Sequence, residues 1–286
     1  MFSVKDLRFT YPKNKEETIK GISFDIAKGE IFGFLGPSGA GKSTTQKILI
    51  KLLDQYKGII SYDGKNIAEL DDSFFENIGV SFEMPIHFSK MTAMENINFF
   101  LKLYKRNADV EELMKSVGLW EDRDKMVSEY SKGMKIRLNF VRAMLNDPEM
   151  LFLDEPTNGL DPANAMILKD LIRAFKQRGG TVFITSHIMN DIDQLCDRVA
   201  FIVNGEIKEI DSPRDLKIKY GKRTIKVEYK ENGHTETETY TMDHIGQNEA
   251  FLNLLKTKDI ETIHSGETTL EEIFIKVTGV GLNHHE

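Results

Sequence analysis

Gly36-Pro37-Ser38-Gly39-Ala40-Gly41-Lys42-Ser43 is the stretch that decides the fold. It fits the spacing G-x-x-x-x-G-K-[ST], in which backbone amides from Ser38 to Ser43 curl around a phosphate. The N-terminus of the following helix adds its partial positive charge. Glycines let the chain approach that phosphate closely. The flanks agree with this reading. Glu30-Ile-Phe-Gly-Phe-Leu35 reads as a buried strand, and Ser43 to Leu53 carries apolar residues at helical spacing. Lys42 is then placed to reach the β- and γ-phosphates of a nucleotide, and the Ser43 hydroxyl to bind Mg²⁺. A glycine-rich turn that merely mimics the spacing would not also bring the lysine, the hydroxyl and both flanking elements. The candidate nucleotide contacts are Gly36, Pro37, Ser38, Gly39, Ala40, Gly41, Lys42, Ser43 and Thr44.

Working outward, the chain before the octet is β-rich. Phe2, Val4 and Leu7 alternate loosely, Ile22 to Ile26 alternates cleanly, and Lys28-Gly29 supplies a turn. Further downstream the pattern turns helical. Thr92-Ala-Met-Glu95 has the form of a capping box, followed by Ile97, Phe100, Leu101 and Tyr104 on one face. Asp109 opens a second helix that stops near Gly118, and a third runs from about Ser131 to Leu145. Strand-helix-strand alternation then resumes with Met150 to Asp154, Ala163 to Lys176, and Thr181 to Thr185. Such alternation implies a mostly parallel sheet with helices on both faces, and ligands at the carboxyl ends of its strands.

The expected fold is therefore α/β. A P-loop NTPase core occupies residues 1–214, with a helical subdomain inserted at about 86–146. Composition shifts near Pro213. Thr224 to Tyr229 and Thr235 to Met242 alternate on either side of Asn232-Gly233, a strong hairpin signal. Helical stretches follow near Ala250–Leu255 and Leu270–Lys276, so residues 215–286 are expected to form a small α+β appendage.

Bulk properties narrow the function. Of 286 residues, 40% are hydrophobic, which suits a globular chain with a real core. The net charge of −7 gives no bulk attraction to nucleic acid or to an anionic membrane surface. A single cysteine, Cys196, excludes an internal disulfide and suits a reducing compartment; it reads as a packing residue. No signal peptide is expected from the opening MFSVKDLRFTYP. No stretch approaches the ~20 apolar residues of a membrane span, so a membrane role has to come through a partner chain. The terminal His284-His285-Glu286 is too short to read as a metal site and is expected to be a frayed tail.

Met150-Leu-Phe-Leu-Asp154-Glu155 is an apolar strand ending in two carboxylates. In isolation two such acids are usually a solvated edge. Downstream of a phosphate loop, Asp154 is suited to hold the Mg²⁺ hydration shell and Glu155 to polarise an attacking water.

Further features, in order along residues 2–212, resemble the nucleotide-binding domains of ABC (ATP-binding cassette) proteins. Phe9-Thr10-Tyr11-Pro12 is similar to the loop whose aromatic ring stacks on adenine, although Tyr11 also reads as a plain strand-end tyrosine. Tyr130-Ser131-Lys132-Gly133-Met134 resembles the family signature Leu-Ser-Gly-Gly-Gln, and Leu160-Asp161 resembles the D-loop. His187, after the strand that follows the Asp-Glu pair, resembles the switch histidine that meets the γ-phosphate; a lone histidine elsewhere would more often be structural.

The resemblance implies ATP and Mg²⁺ as cofactors, Glu155 and His187 as catalytic residues, and a head-to-tail dimer. In that dimer Ser131 and Gly133 face the nucleotide held by a second nucleotide-binding subunit, identical or related, and Asp161 lies beside it. Two departures stand out. Glu83 sits where the family has Gln, and is expected both to touch nucleotide and to reach the metal together with Ser43 and Asp154. Lys132 and Met134 replace Gly and Gln in the signature.

Thr268 to Gly279 resembles the closing motif of bacterial exporter subunits, or else is an ordinary amphipathic packing helix. The expected function is the ATP-hydrolysing subunit of an exporter, working with a membrane-spanning permease on the cytoplasmic face of the membrane and not with nucleic acid. A soluble ATPase acting on ribosomes or DNA, and a nucleotide sensor without turnover, are the competing expectations.

Overall fold

The computed structural model describes residues 1–231 and 233–281. Asn232 of the expected hairpin turn and the tail His284-His285-Glu286 lie outside the described residues.

In chain order the elements are β1 (Phe2–Phe9), β2 (Ile19–Ile26), β3 (Ile31–Leu35), α1 (Lys42–Leu49), β4 (Tyr56–Tyr62), β5 (Lys65–Asn66), α2 (Ser73–Asn77), β6 (Ile78–Ser81), α3 (Ala93–Leu101), α4 (Val110–Ser116) and α5 (Lys132–Met144). They continue with β7 (Met150–Asp154), α6 (Pro162–Gln177), β8 (Thr181–Ser186), α7 (Met189–Leu195), β9 (Arg198–Val203), β10 (Glu206–Asp211), α8 (Pro213–Tyr220), β11 (Arg223–Glu231), β12 (His234–Thr241), α9 (Glu249–Thr257), β13 (Asp259–Glu267) and α10 (Leu270–Thr278).

The chain divides into two compact units, residues 1–212 (with 281) and Pro213–Val280. In the larger unit, six strands run in the order β10-β9-β3-β8-β7-β6. β9, β3, β8, β7 and β6 are mutually parallel, and β10 pairs antiparallel at the edge. β3, β7 and β8 are buried at every position, as expected for parallel strands covered on both faces. A second, antiparallel sheet, β2-β1-β4-β5, packs on one face through aromatic rings. Phe24 of β2 stacks on Phe32 at 5.6 Å, and Phe2 of β1 meets Phe152 of β7 edge-on at 5.8 Å.

Helix α5 crosses β6 so closely that a Cβ on Gly79 would lie 1.8 Å from the Ala143 carbonyl oxygen; only glycine fits there. The capping box at Thr92 forms as expected, with Glu95 N donating to Thr92 Oγ1 and Thr92 N to Glu95 Oε2. Buried Cys196 lies over Gly33, and burial pushes its thiol far above the ordinary range.

One expected boundary is corrected. α1 ends at Leu49 and not at Leu53. Lys51 adopts a left-handed φ of 59°, and its amide and that of Leu52 fold back onto the Ile48 and Lys47 carbonyls at 3.0 and 2.8 Å. This is a Schellman closure with lysine where glycine is usual.

The smaller unit is a three-stranded antiparallel sheet, β12-β11-β13, with Phe251 and Leu254 of α9 buried in a cluster with Val227 and Tyr229. α8 and α10 pack together in the same unit. The sequence reading missed α8 and β13. The residues of β13, DIETIHSGE, are mostly polar and largely exposed, so pairing to β11 and not burial makes this segment a strand.

Candidate nucleotide site

The carboxyl ends of β3, β7 and β8 bring three loops to one edge of the parallel sheet. Gly41, with φ of 106°, turns the first loop into α1; its carbonyl accepts from both the Thr45 amide and the Thr45 hydroxyl at 2.9 Å. Lys42 is 7% exposed, and its ammonium donates to the Gly36 and Pro37 carbonyls at 2.7 and 3.2 Å. It lies 3.8 Å from Glu155 Oε1. Burial pulls the Lys42 pKa below its ordinary value, while Glu155, Asp154 and Glu83 act in the opposite direction.

Asp154 closes β7 and accepts from Ser43 Oγ at 3.1 Å and from the Thr185 hydroxyl. Glu155 follows at a left-handed φ of 49°, its amide held by the Thr185 carbonyl at 3.0 Å. A non-glycine residue there is uncommon and is kept only where its surroundings over-determine it. Those surroundings are on hand: Glu155 Oε2 lies 2.9 Å from His187 Nδ1 and accepts from Ser186 Oγ and the His187 amide at 3.2 Å.

Lys42, Glu155 and His187 open on a cavity of about 390 Å³ that Tyr11, Glu83 and the loop from Ser38 to Thr44 also line, while Asp154 is not among its lining residues. The Tyr11 hydroxyl is 3.2 Å from Thr44 Oγ1, and its ring meets Phe9 edge-on at 4.8 Å. Asn14 and Thr18 line the same cavity. The sequence reading missed both, because nothing in their spacing distinguishes them from ordinary loop residues.

Among the described residues no group of three or more His, Cys, Asp or Glu is gathered to hold a metal. Ser43 Oγ and Asp154 Oδ1, hard oxygen donors 3.1 Å apart, are groups of the chemistry that would suit Mg²⁺.

Residues 19–158 match the family model described as ABC transporter, and residues 223–267 match a model described as fluoroquinolone efflux ABC transporter C-terminal domain. A fluoroquinolones export ATP-binding protein of Mycobacterium tuberculosis is 49% identical over 278 residues, covering 96% of this chain and 92% of that protein. The chain belongs to the ABC transporter family. As an ABC cassette it binds ATP and is an ATPase.

The bacitracin transport ATP-binding protein of Bacillus licheniformis is 32% identical, covering 97% of this ABC subunit and 98% of that protein. A dimeric ATP-binding cassette in a post-hydrolysis state, bound to ADP and Pi, superposes with a TM-score of 0.67 at 25% identity, covering 74% of this chain and 98% of that one. These names fit the transport reading and not the ribosome- or DNA-linked one.

The remaining predicted residues of this ABC subunit sit apart from the cavity. Ser131 caps α5, its hydroxyl accepting from the Met134 amide at 3.2 Å. Asp161 caps α6, accepting from the Asn164 amide at 3.0 Å. The two caps adjoin: a Cβ on Gly133 would lie 3.4 Å from Leu160 Cδ2, and one on Gly159 only 2.6 Å from Lys132 Nζ. Lys132 therefore covers the loop that leads to Asp161. Ser131, Gly133 and Asp161 form a second patch, separate from the residues lining the Lys42 cavity.

Glu83 is exposed, and its Oε1 lies 3.4 Å from Asn158 Nδ2. This contact links it to the turn after Glu155. Beside the nucleotide cavity lies an apolar groove of about 450 Å³, lined among others by Phe82, Met84, Ile86, Phe100, Tyr104 and Arg142. Arg142 bridges its walls, donating to the Ile86 carbonyl at 2.6 Å and to Asn139 Oδ1 at 2.7 Å, with its guanidinium 4.9 Å from the Phe100 ring. Among the described residues no helix is long and apolar enough to cross a membrane.

Proposed function

We propose that this ABC subunit is the motor of an export complex, hydrolysing ATP on the cytoplasmic face of a membrane to drive small antimicrobial molecules through a separate membrane-spanning subunit. The observation that carries the reading is the convergence of Lys42, Glu155 and His187 on one cavity, with Asp154 on Ser43 behind them. The cargo class rests on the relatives' names and on the match of residues 223–267 to a drug-efflux C-terminal domain.

Backbone amides from Ser38 to Ser43 cradle the phosphates and Lys42 swings from the Gly36 and Pro37 carbonyls onto them. Tyr11 stacks on the adenine. Ser43 and Asp154, with Glu83 at the cavity wall, would hold Mg²⁺, which neutralises charge on the phosphate oxygens. Glu155 orients a water and takes its proton as the water oxygen bonds the γ-phosphorus and the bond to the ADP oxygen breaks. His187 and Ser186 hold the Glu155 carboxylate in place for that transfer. Ser131, Gly133 and Asp161 complete the site of a second subunit, so two chains enclose two nucleotides.

The apolar groove takes a cytoplasmic segment of the membrane subunit. Exposed Met84 and Ile86 on its wall are otherwise costly in water. Two experiments test the reading. Mild-detergent capture of the chain from its native membrane should recover a multi-span protein in stoichiometric amount; recovery of soluble partners alone would sink it. Glu155→Gln with Mg-ATP and that partner should trap a closed dimer, and a monomer on sizing would remove the two-chain site.

A further inference from the structure

The loop that carries Glu155 and the helix that follows His187 meet at a second, buried point outside the nucleotide cavity. Asp191, in the first turn of α7, accepts a hydrogen bond from the hydroxyl of Thr157, two residues after Glu155. The other Asp191 oxygen lies 2.9 Å from the Lys169 ammonium of α6, which also reaches Gln194 Oε1 at 3.0 Å. Thr157, Lys169 and Asp191 are 5, 6 and 6% exposed. Neither charge would be tolerated alone in that setting, so each holds the other in place.

With the 2.9 Å contact between His187 Nδ1 and Glu155 Oε2, this makes a closed ring: Glu155, Thr157, Asp191, His187. The two ties across the ring differ. The His187 side chain is 41% exposed and faces the cavity where ligand competes for it. The Asp191 tie is dry and unscreened, so it keeps its geometry when the other opens. The Thr157 carbonyl also accepts from the Leu160 amide at 3.1 Å, which extends the tie to the loop before Asp161.

We propose that Asp191, neutralised by Lys169, is a positioning residue for hydrolysis. It acts through Thr157 and α7 to set the separation of Glu155 and His187, and it touches neither nucleotide nor water. The inference rests on Glu155 and His187 being the hydrolytic pair. Its loss therefore reaches kcat and leaves ATP binding intact.

Thr157→Val tests this in the full chain together with its co-purifying membrane protein, since it removes one hydroxyl and keeps the side-chain shape. We expect kcat to fall about tenfold or more, because small misplacements of reacting groups are costly. The KM for ATP should stay near wild type, and Thr157→Ser should restore turnover. A Lys169→Met, Asp191→Leu double variant removes the ion pair without leaving a lone charge and should give the same selective loss. Hydrogen exchange reads the tie without turnover: the Asn158 and Leu160 amides should exchange faster in Thr157→Val and at the wild-type rate in Thr157→Ser. Wild-type kcat and exchange in Thr157→Val, or a loss that falls equally on KM and that serine does not restore, overturns the proposal. Glu155→Gln serves as the control, because hydrolysis that survives it defeats the underlying assignment whatever the Thr157 variants do.

Discussion

Two cavities of similar size, about 390 and 450 Å³, flank one short stretch of chain, and they differ in nearly everything else. Just beyond β6 the chain bends at Glu83 and Met84. Glu83 lines the polar nucleotide cavity, while Phe82 and Met84 line the apolar groove. The nucleotide cavity is cross-braced by Ser43 on Asp154, by Lys42 on its loop, and by three contacts on Glu155 Oε2. The groove wall is held mainly by Arg142, and its Met84 and Ile86 are 78 and 80% exposed. In the proposed reading, the chemistry occupies the braced side, and the surface that meets the membrane subunit occupies the more exposed one. Glu83 is where the two meet.

The comparison can be broken at the rigid side first. Glu155→Gln should lower kcat about 10²- to 10⁴-fold, the usual worth of a positioned proton acceptor, with nucleotide affinity retained. Lys42→Ala should weaken ATP binding by about 10- to 100-fold, since hydrogen bonds to a charged group contribute about 1.5–3 kcal/mol. Fluorescent-nucleotide titration and phosphate release separate the two. On the compliant side, Ile86→Asp should abolish recovery of the membrane subunit in detergent capture while the nucleotide titration is unchanged; loss of both would mean that the two cavities are not separable. The smallest effect belongs to the shared residue. Glu83→Gln keeps the shape and removes one charge beside the phosphates, so the KM for ATP should fall about two- to fivefold, as expected for a partly screened charge contribution of under 1 kcal/mol. A rise in the Mg²⁺ concentration needed for half-maximal ATP binding would show that the Glu83 carboxylate also serves the metal.

Much of the polar side was legible in the sequence because its chemistry is local. Gly36 to Ser43 is contiguous, Asp154 and Glu155 are adjacent, and β3, β7 and β8 are short segments with apolar centres. Thr92 and Asp109 were readable as helix starts because a cap needs only the next three residues. The groove was not legible, since its lining comes from segments as distant as Ile50 and Arg142. Nor was the Thr157–Asp191–Lys169 cluster, whose members lie on a loop and two separate helices and meet only through packing. β13 escaped for a related reason: it owes its form to β11 and not to its own pattern.

The sequence by itself determined the phosphate-loop motif, the strand and helix that flank it and the apolar strand ending in Asp154 and Glu155, because each depends on neighbours a few residues apart. Tertiary structure alone decided which carboxylate faces which histidine, where the apolar groove opens, and that Ser131, Gly133 and Asp161 share a patch away from Lys42. Those relations are set by parallel strands packing side by side, which bring together residues that no local spacing connects.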